Sequence, residues 1–241
     1  MLSEQIRKHK VICIVVVIVL VVAVVAGYFL VPYMKRHYMP VSVNVDEAAK
    51  MEKVDFGQKK ILTVYFTRVG NSDFEKDVDA VSSASLMEED GKLIGNSQLL
   101  ATMIQNAVGG ELYAIQTEKK YPSSYGDTVS VAKDELDSDE KVVLAGSLPD
   151  FSQYDTMVLV FPVWWGTIPN AVKTFLQSDD LSGIVLYPLI THGGSGAANS
   201  VRDIKAICKA DVTDKILEVF DDDVTDAASE VAEWLKSISG N

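Results

Sequence analysis

The sequence predicts an α/β protein built on a five-stranded parallel sheet with helices on both faces. Three observations carry that expectation. Five short apolar runs recur between residues 60 and 220, each followed by a stretch compatible with a helix. Polar or glycine-bearing loops come directly after three of those runs. The middle run, residues 157–161, is apolar on both alternations, as a strand covered on both faces must be. Strands joined through helices in this way run parallel, with right-handed crossovers.

Residues 1–10 are short and basic, with Arg7, Lys8 and Lys10 against Glu4. From Val11 to Val31 no side chain is charged. About 20 apolar residues at 1.5 Å rise cross the hydrocarbon core, so residues 11–32 are expected to form a single transmembrane helix. Tyr28, Tyr33 and Tyr38, with Lys35 and Arg36, suit the far headgroup layer. A cleaved signal peptide ending at Val24-Val25-Ala26 is the alternative, and the length of the run, which continues past that site, favours the anchor. Three basic side chains upstream against two downstream tilt the N-terminus towards the cytoplasm and the domain outside it. Residues 33–59 are mixed and polar without a sustained period. They are expected to form a tether that lets the domain, residues 60–241, stand off the bilayer.

Within the domain, residues 61–66 (ILTVYF) form the first expected strand and residues 67–72 (TRVGNS) the turn after it. An acidic, serine-rich stretch follows, with a turn at Asp90-Gly91. The first helix is expected to start at Asn96 or Ser97, both good caps, and to run along Leu99, Leu100, Met103, Ile104 and Val108 until Gly109-Gly110 stop it. Residues 111–117 form the second strand, a polar loop with Tyr121, Pro122 and Tyr125 follows, and residues 128–144 form a helix ending before Gly146. The third strand stops at Pro162, which cannot donate to a ladder, and releases Val163, Trp164, Trp165 and Gly166 into a loop. Pro169 suits the first turn of the next helix. Residues 184–190 form the fourth strand and residues 191–196 (THGGSG) its loop. A helix over 197–208, a strand over 215–220 and a helix over 225–238 close the chain.

A net charge of −12 argues against a nucleic-acid surface and for an acidic body. The two cysteines, Cys13 and Cys208, support neither a disulfide framework nor a cysteine metal site. Asp221-Asp222-Asp223 reads as a solvated turn at a helix start, and Trp234 as a core residue of the last helix. For His192 the two readings are protonation of a bound substrate, and a loop hydrogen bond or solvent exposure.

The chemistry lies in the loops. Hydroxyls, a glycine and outward-pointing amides at a strand's end can cradle a phosphate, and an acidic protein needs amides and a helix start for it. Gly-Asn-Ser occurs twice, at 70–72 and at 95–97, and the sequence does not say which copy makes the closer contact. Two adjacent indoles cannot both point into one core, so at least one of Trp164 and Trp165 stands at the surface or on a ligand. Loops of this composition follow many strands, and TRVGNS taken alone is unspecific.

Taken together, TRVGNS, PVWWGTIP and THGGSG resemble the loops of the flavodoxin-like family, whose short-chain members carry loops of the SRTGNT, PVWWGxxP and TSGGSG types. The resemblance covers about residues 60–238. It implies the strand order 2-1-3-4-5 and FMN bound across the carboxyl ends of strands one, three and four. Thr67, Val69, Gly70, Asn71 and Ser72 would then hold the phosphate, with Arg68 and the helix start at Asn96 and Ser97 beside them. Pro162, Val163, Trp164, Trp165 and Gly166 would border the isoalloxazine ring, and Thr191, His192, Gly193, Gly194 and Ser195 would close its other side. Three departures weaken the match: Val69 stands where the family has Thr, His192 where Ser is common, and the loop before the first helix is expanded.

No catalytic side chain and no metal site is assigned. The resemblance implies a membrane-anchored electron carrier or oxidoreductase, its low potential set by acidic, aromatic surroundings that disfavour an anionic reduced flavin. Its partner would be a redox protein or a quinone. Two other functions stay open: an NAD(P)H-dependent quinone or azo reductase, for which no separate nicotinamide fingerprint is present, and a non-enzymatic anchored module that has lost the flavin. A domain outside the cytoplasm would have to acquire FMN there or be exported folded, which counts against that topology.

Overall fold

A computed structural model of the chain describes residues 40–74, 86–139 and 141–240, together with Val16, Val17, Val19 and Val24. The expected membrane span over 11–32 therefore lies outside the described residues, apart from those four valines. Among the described residues no helix is long and apolar enough to cross a membrane.

The main sheet is parallel. Strand β2 (Ile61–Tyr65) lies between β5 (Glu111–Ala114) and β6 (Thr156–Pro162), and β7 (Val185–His192) follows β6. Period-two alternation divides the core between two faces. Val158 and Val160 of β6 face helix α2 (Asn96–Val108) and helix α6 (Ala228–Ser239). Met157, Leu159 and Phe161 face the other layer, formed by α3 (Tyr125–Ser138), α4 (Asn170–Leu176) and α5 (Ser200–Ile207). Trp234 is buried against the first of these faces, as expected, and its indole N–H donates to Lys215 O at 3.1 Å.

Five strands were expected in a simple order; the sheet has six, because its last position is divided. The outer edge of β7 carries β8 (Asp211–Val212) beside Val185 and Leu186, then β9 (Leu217–Phe220) beside Leu189 to His192. The division falls at Pro188. In a parallel strand, alternate residues direct their N–H and C=O to opposite neighbours. Leu186 O accepts from Thr213 N on the outer edge and Thr191 O from Val163 N on the inner one, so position 188 faces outwards. A proline there has no N–H to give, and the ladder breaks.

A second sheet was not foreseen. In the expanded loop before α2, β3 (Leu86–Glu89) and β4 (Lys92–Gly95) form a hairpin about Asp90-Gly91, whose φ values of 49° and 77° suit a two-residue primed turn. Strand β1 (Val41–Ser42) pairs parallel with β3. Residues 40–59, read from the sequence as part of a tether, pack on the body instead. Ala49, Val54 and Phe56 are buried with α2, the short helix α1 (Val45–Ala48) precedes them, and Val54 N donates to Ala107 O at 3.0 Å. Several other ends also move. The second strand stops at Ala114, α3 spans Tyr125–Ser138, α5 begins only at Ser200, and the acidic run forms a 3-10 turn, Asp221–Asp226, before α6.

Candidate functional site

At the carboxyl ends of β2, β6 and β7 the three expected loops meet around one crevice of about 250 Å³. Arg68 comes from the first loop, Pro162 to Trp165 from the second, and Thr191, His192 and Gly193 from the third. Such a crevice at the strand ends is the standard ligand position in open α/β sheets. A fourth wall was not foreseen: Tyr125, Thr128, Val129 and Ala132 of α3 line the crevice too. The polar loop with Tyr121, Pro122 and Tyr125 was visible in the sequence. Only the packing of α3 over the indoles makes it part of the site.

The two indoles divide their roles. Trp164 is half-buried and packs edge-to-face on Phe66 and Tyr121, with ring centroids 5.3 and 5.2 Å away. Trp165 is 50% exposed, so one of the pair does stand at the surface. It holds φ at 51°, a left-handed conformation few bulky residues adopt, and its indole N–H donates to Val129 O at 3.0 Å. The bend at Trp165 and Gly166 turns the loop back, and Trp164 and Thr167 exchange backbone hydrogen bonds across it.

In the third loop, Thr191 Oγ1 is buried without a hydrogen-bond partner at the crevice wall. His192 Nδ1 accepts from Gly194 N–H at 3.0 Å, the loop hydrogen bond that was one of its two readings. That bond leaves the proton of a neutral ring on Nε2. Gly193, Gly194 and Ser195 are exposed.

The first loop behaves differently from its composition. Asn71 is buried and donates to Thr67 O at 2.8 Å and Ile115 O at 2.9 Å, while its Oδ1 accepts from Thr117 N at 2.8 Å. Its side chain ties two loops together and is spent there. Arg68 is buried, donates to Ser123 O at 2.7 Å and lies over the Phe74 ring, so its guanidinium is held in the wall and not in solvent. Val69, Gly70 and Ser72 are absent from the crevice lining, as are Thr67, Asn96 and Ser97, and Ser72 Oγ is buried without a partner.

The second Gly-Asn-Ser stands where a helix begins. Gly95 precedes the 13 residues of α2 and supplies no side-chain cap; its own N–H donates to Gln98 Oε1 at 3.4 Å, and the amides of Asn96 and Ser97 are left open to a ligand. A Cβ on Gly95 would lie 1.9 Å from Thr67 Oγ1. Only glycine lets the helix start meet the end of β2. Ser97 Oγ, beside it, is buried with no partner, and Asn96 Nδ2 reaches Asp221 O at 3.3 Å. An orphaned hydroxyl, a glycine cradle and uncapped amides fit a phosphate group; Thr191 Oγ1 and the indoles fit a flat ring.

Two further groups bear on chemistry. Burial pushes the Tyr65 phenol above its ordinary value, so it is neutral at pH 7. Burial likewise pushes the Cys208 thiol up, which makes it a poor nucleophile. Among the described residues no cluster of side chains is arranged to hold a metal ion.

Comparisons with known proteins agree with this geometry. No match is found among curated protein sequences. Among solved structures, a protein assigned as a flavoprotein from Bacteroides uniformis is 23% identical, with a TM-score of 0.54, over 75% of this chain and 99% of its own. One with the same assignment from Bacteroides eggerthii is 20% identical, with a TM-score of 0.50, over 73% and 99%. Both support the fold. The flavodoxin family model matches residues 91–238, a segment that begins after TRVGNS and includes the second Gly-Asn-Ser, the indole loop and the THGGSG loop. With more than half of its length matched, the chain belongs to the flavodoxin family.

Proposed function

We propose that the chain is an FMN-binding protein, held at the cell membrane by residues 11–32, that acts in electron transfer or as an oxidoreductase. The observation that carries this reading is the convergence of three strand-end loops on one crevice with orphaned hydroxyls at its wall and at the adjacent helix start. When bound, FMN supplies one- and two-electron chemistry.

The chain's own residues bind and orient. The amides of Asn96 and Ser97, with the Ser97 and Thr67 hydroxyls, would hold the phosphate. Val163, Trp164 and Trp165 border the ring, while α3 closes the crevice from outside through Tyr125 and Val129 and excludes water. Thr191 Oγ1 would hold a polar atom of the ring, which would satisfy a group otherwise buried at a cost of about 1–3 kcal/mol. Among the described residues no lysine or arginine beyond Arg68 lines the crevice. The net charge of −12 works against added negative charge on the ring and keeps the potential low.

Membrane attachment is supported by the uncharged run from Val11 to Val31, of which Val16, Val17, Val19 and Val24 are helical and exposed. The flanking charges tilt the domain to the outer side, with a redox protein or a quinone as its partner. Purified protein incubated with FMN should absorb near the ordinary flavin band at about 450 nm and hold one flavin per chain. Trp164→Ala and Trp165→Ala should each weaken retention. Protein that stays colourless after FMN is added overturns the reading, and oxidation of NADPH without a partner reductase would move it to a self-sufficient quinone or azo reductase.

A further inference from the structure

Pro40, with which the described body begins, stands at the crevice rim. In the small sheet, Leu86 pairs with Gly95 and Val41 with Met87, so Pro40 stands level with Gly95. Two strand spacings separate β1 from β4, about 10 Å in all. Gly95 in turn abuts Thr67 at the end of β2. From Val41 onwards the chain runs away from the rim along α2: Val43 N donates to Glu88 O at 2.9 Å, and Ala49 O accepts from Asn106 Nδ2, near the far end of that helix, at 2.8 Å. The same end of the molecule carries the exposed apolar side chains Val41, Trp165 and Phe220; Phe220 is paired with His192 at the end of β7.

We propose that the crevice rim faces the bilayer, held there on a short leash. The proposal rests on the membrane attachment argued above. Residues 33–59, if free, would reach about 90 Å when extended. With residues 40–59 fastened to the body, only residues 33–39 separate the apolar run from Pro40, and these reach at most about 25 Å. The partner the rim fits is therefore the headgroup layer beside the chain's own anchor. Asp222 and Asp223 at the rim are exposed and oppose close contact with an anionic leaflet, so zwitterionic lipid is the favourable surface.

The test uses the full chain inserted into phosphatidylcholine vesicles carrying an energy acceptor on some headgroups. With Cys13→Ser and Cys208→Ala as background, a donor dye is attached at Asp222→Cys on the rim or at Asp179→Cys, in the exposed loop before β7. The eight residues of β7 separate these ends by about 25 Å. Energy transfer should be several-fold greater from the rim label. Inserting about 20 Gly/Ser residues before Pro40 should erase that difference. Equal or reversed transfer, in protein that floats with the vesicles, overturns the orientation and leaves the anchor standing. Protein that does not float overturns the anchor, and the orientation with it.

Discussion

The same tripeptide, Gly-Asn-Ser, occurs at 70–72 and at 95–97, and the fold uses the two copies for opposite purposes. In the first, Asn71 satisfies its amide on Thr67, Ile115 and Thr117, and the segment becomes a staple between the loops after β2 and β5. In the second, the backbone starts a 13-residue helix and Gly95 admits Thr67 at a distance no side chain would allow. Ser72 Oγ and Ser97 Oγ are both buried without a partner, so the copies differ in their asparagine and their backbone and not in their hydroxyl. A phosphate motif is thus defined by what its amides have left to give, and composition is silent on that. Asparagine in a loop competes for nearby backbone groups; at a helix start the amides are free because the helix has no earlier turn to bond them.

Five single substitutions, one of them also combined with Thr67→Ala, would break or sharpen the contrast. Asn71→Ala strands two buried carbonyls and an amide, and should cost about 3 kcal/mol in a urea unfolding experiment. If the staple is what matters, FMN affinity of the folded fraction should change far less than stability. Gly95→Ala forces a methyl group into Thr67 and should cost about 2 kcal/mol. Flavin retention should fall with it, and Thr67→Ala in the same chain should recover part of the stability without recovering the flavin.

Ser97→Ala should stabilise the flavin-free protein by about 1 kcal/mol, since it removes a buried hydroxyl that has no partner. It should weaken FMN binding about tenfold, the worth of one hydrogen bond to a charged group. Ser72→Ala is the counterpart, and titration of flavin fluorescence should find its affinity close to that of the parent. An equal loss from both serines would erase the distinction between the copies. The smallest effect belongs to Gly70→Ala. Its φ of 84° and the Gln116 side chain 3.2 Å from the added Cβ cost about 1 kcal/mol, with no specific effect on flavin.

Much of the frame was legible. Residues 61–66 and 157–161 are apolar on both alternations, and the strands they form are covered on both faces because nothing else would bury them. The three loops were legible for the same reason: each sits where a strand pattern stops, and in a parallel sheet those stops share one rim. Pro188 was equally visible, yet its effect depends on which edge of β7 faces outwards, a matter of register. The Asp90-Gly91 turn was foreseen, but not the hairpin around it, because Leu86-Met87 and Leu93-Ile94 are too short to carry a period.

By itself the sequence determined the α/β class, the run of strands and helices, the uncharged N-terminal stretch and the three loops that meet at the crevice. These follow from periodicity, proline and glycine, which act over a few neighbouring residues. Only the tertiary structure decided which Gly-Asn-Ser starts a helix beside the end of β2, that α3 closes the crevice over Trp165, and that residues 40–59 are fastened beside the rim. Each of those depends on partners between 20 and 60 residues away or so, and such contacts exist only once the sheet has brought them together.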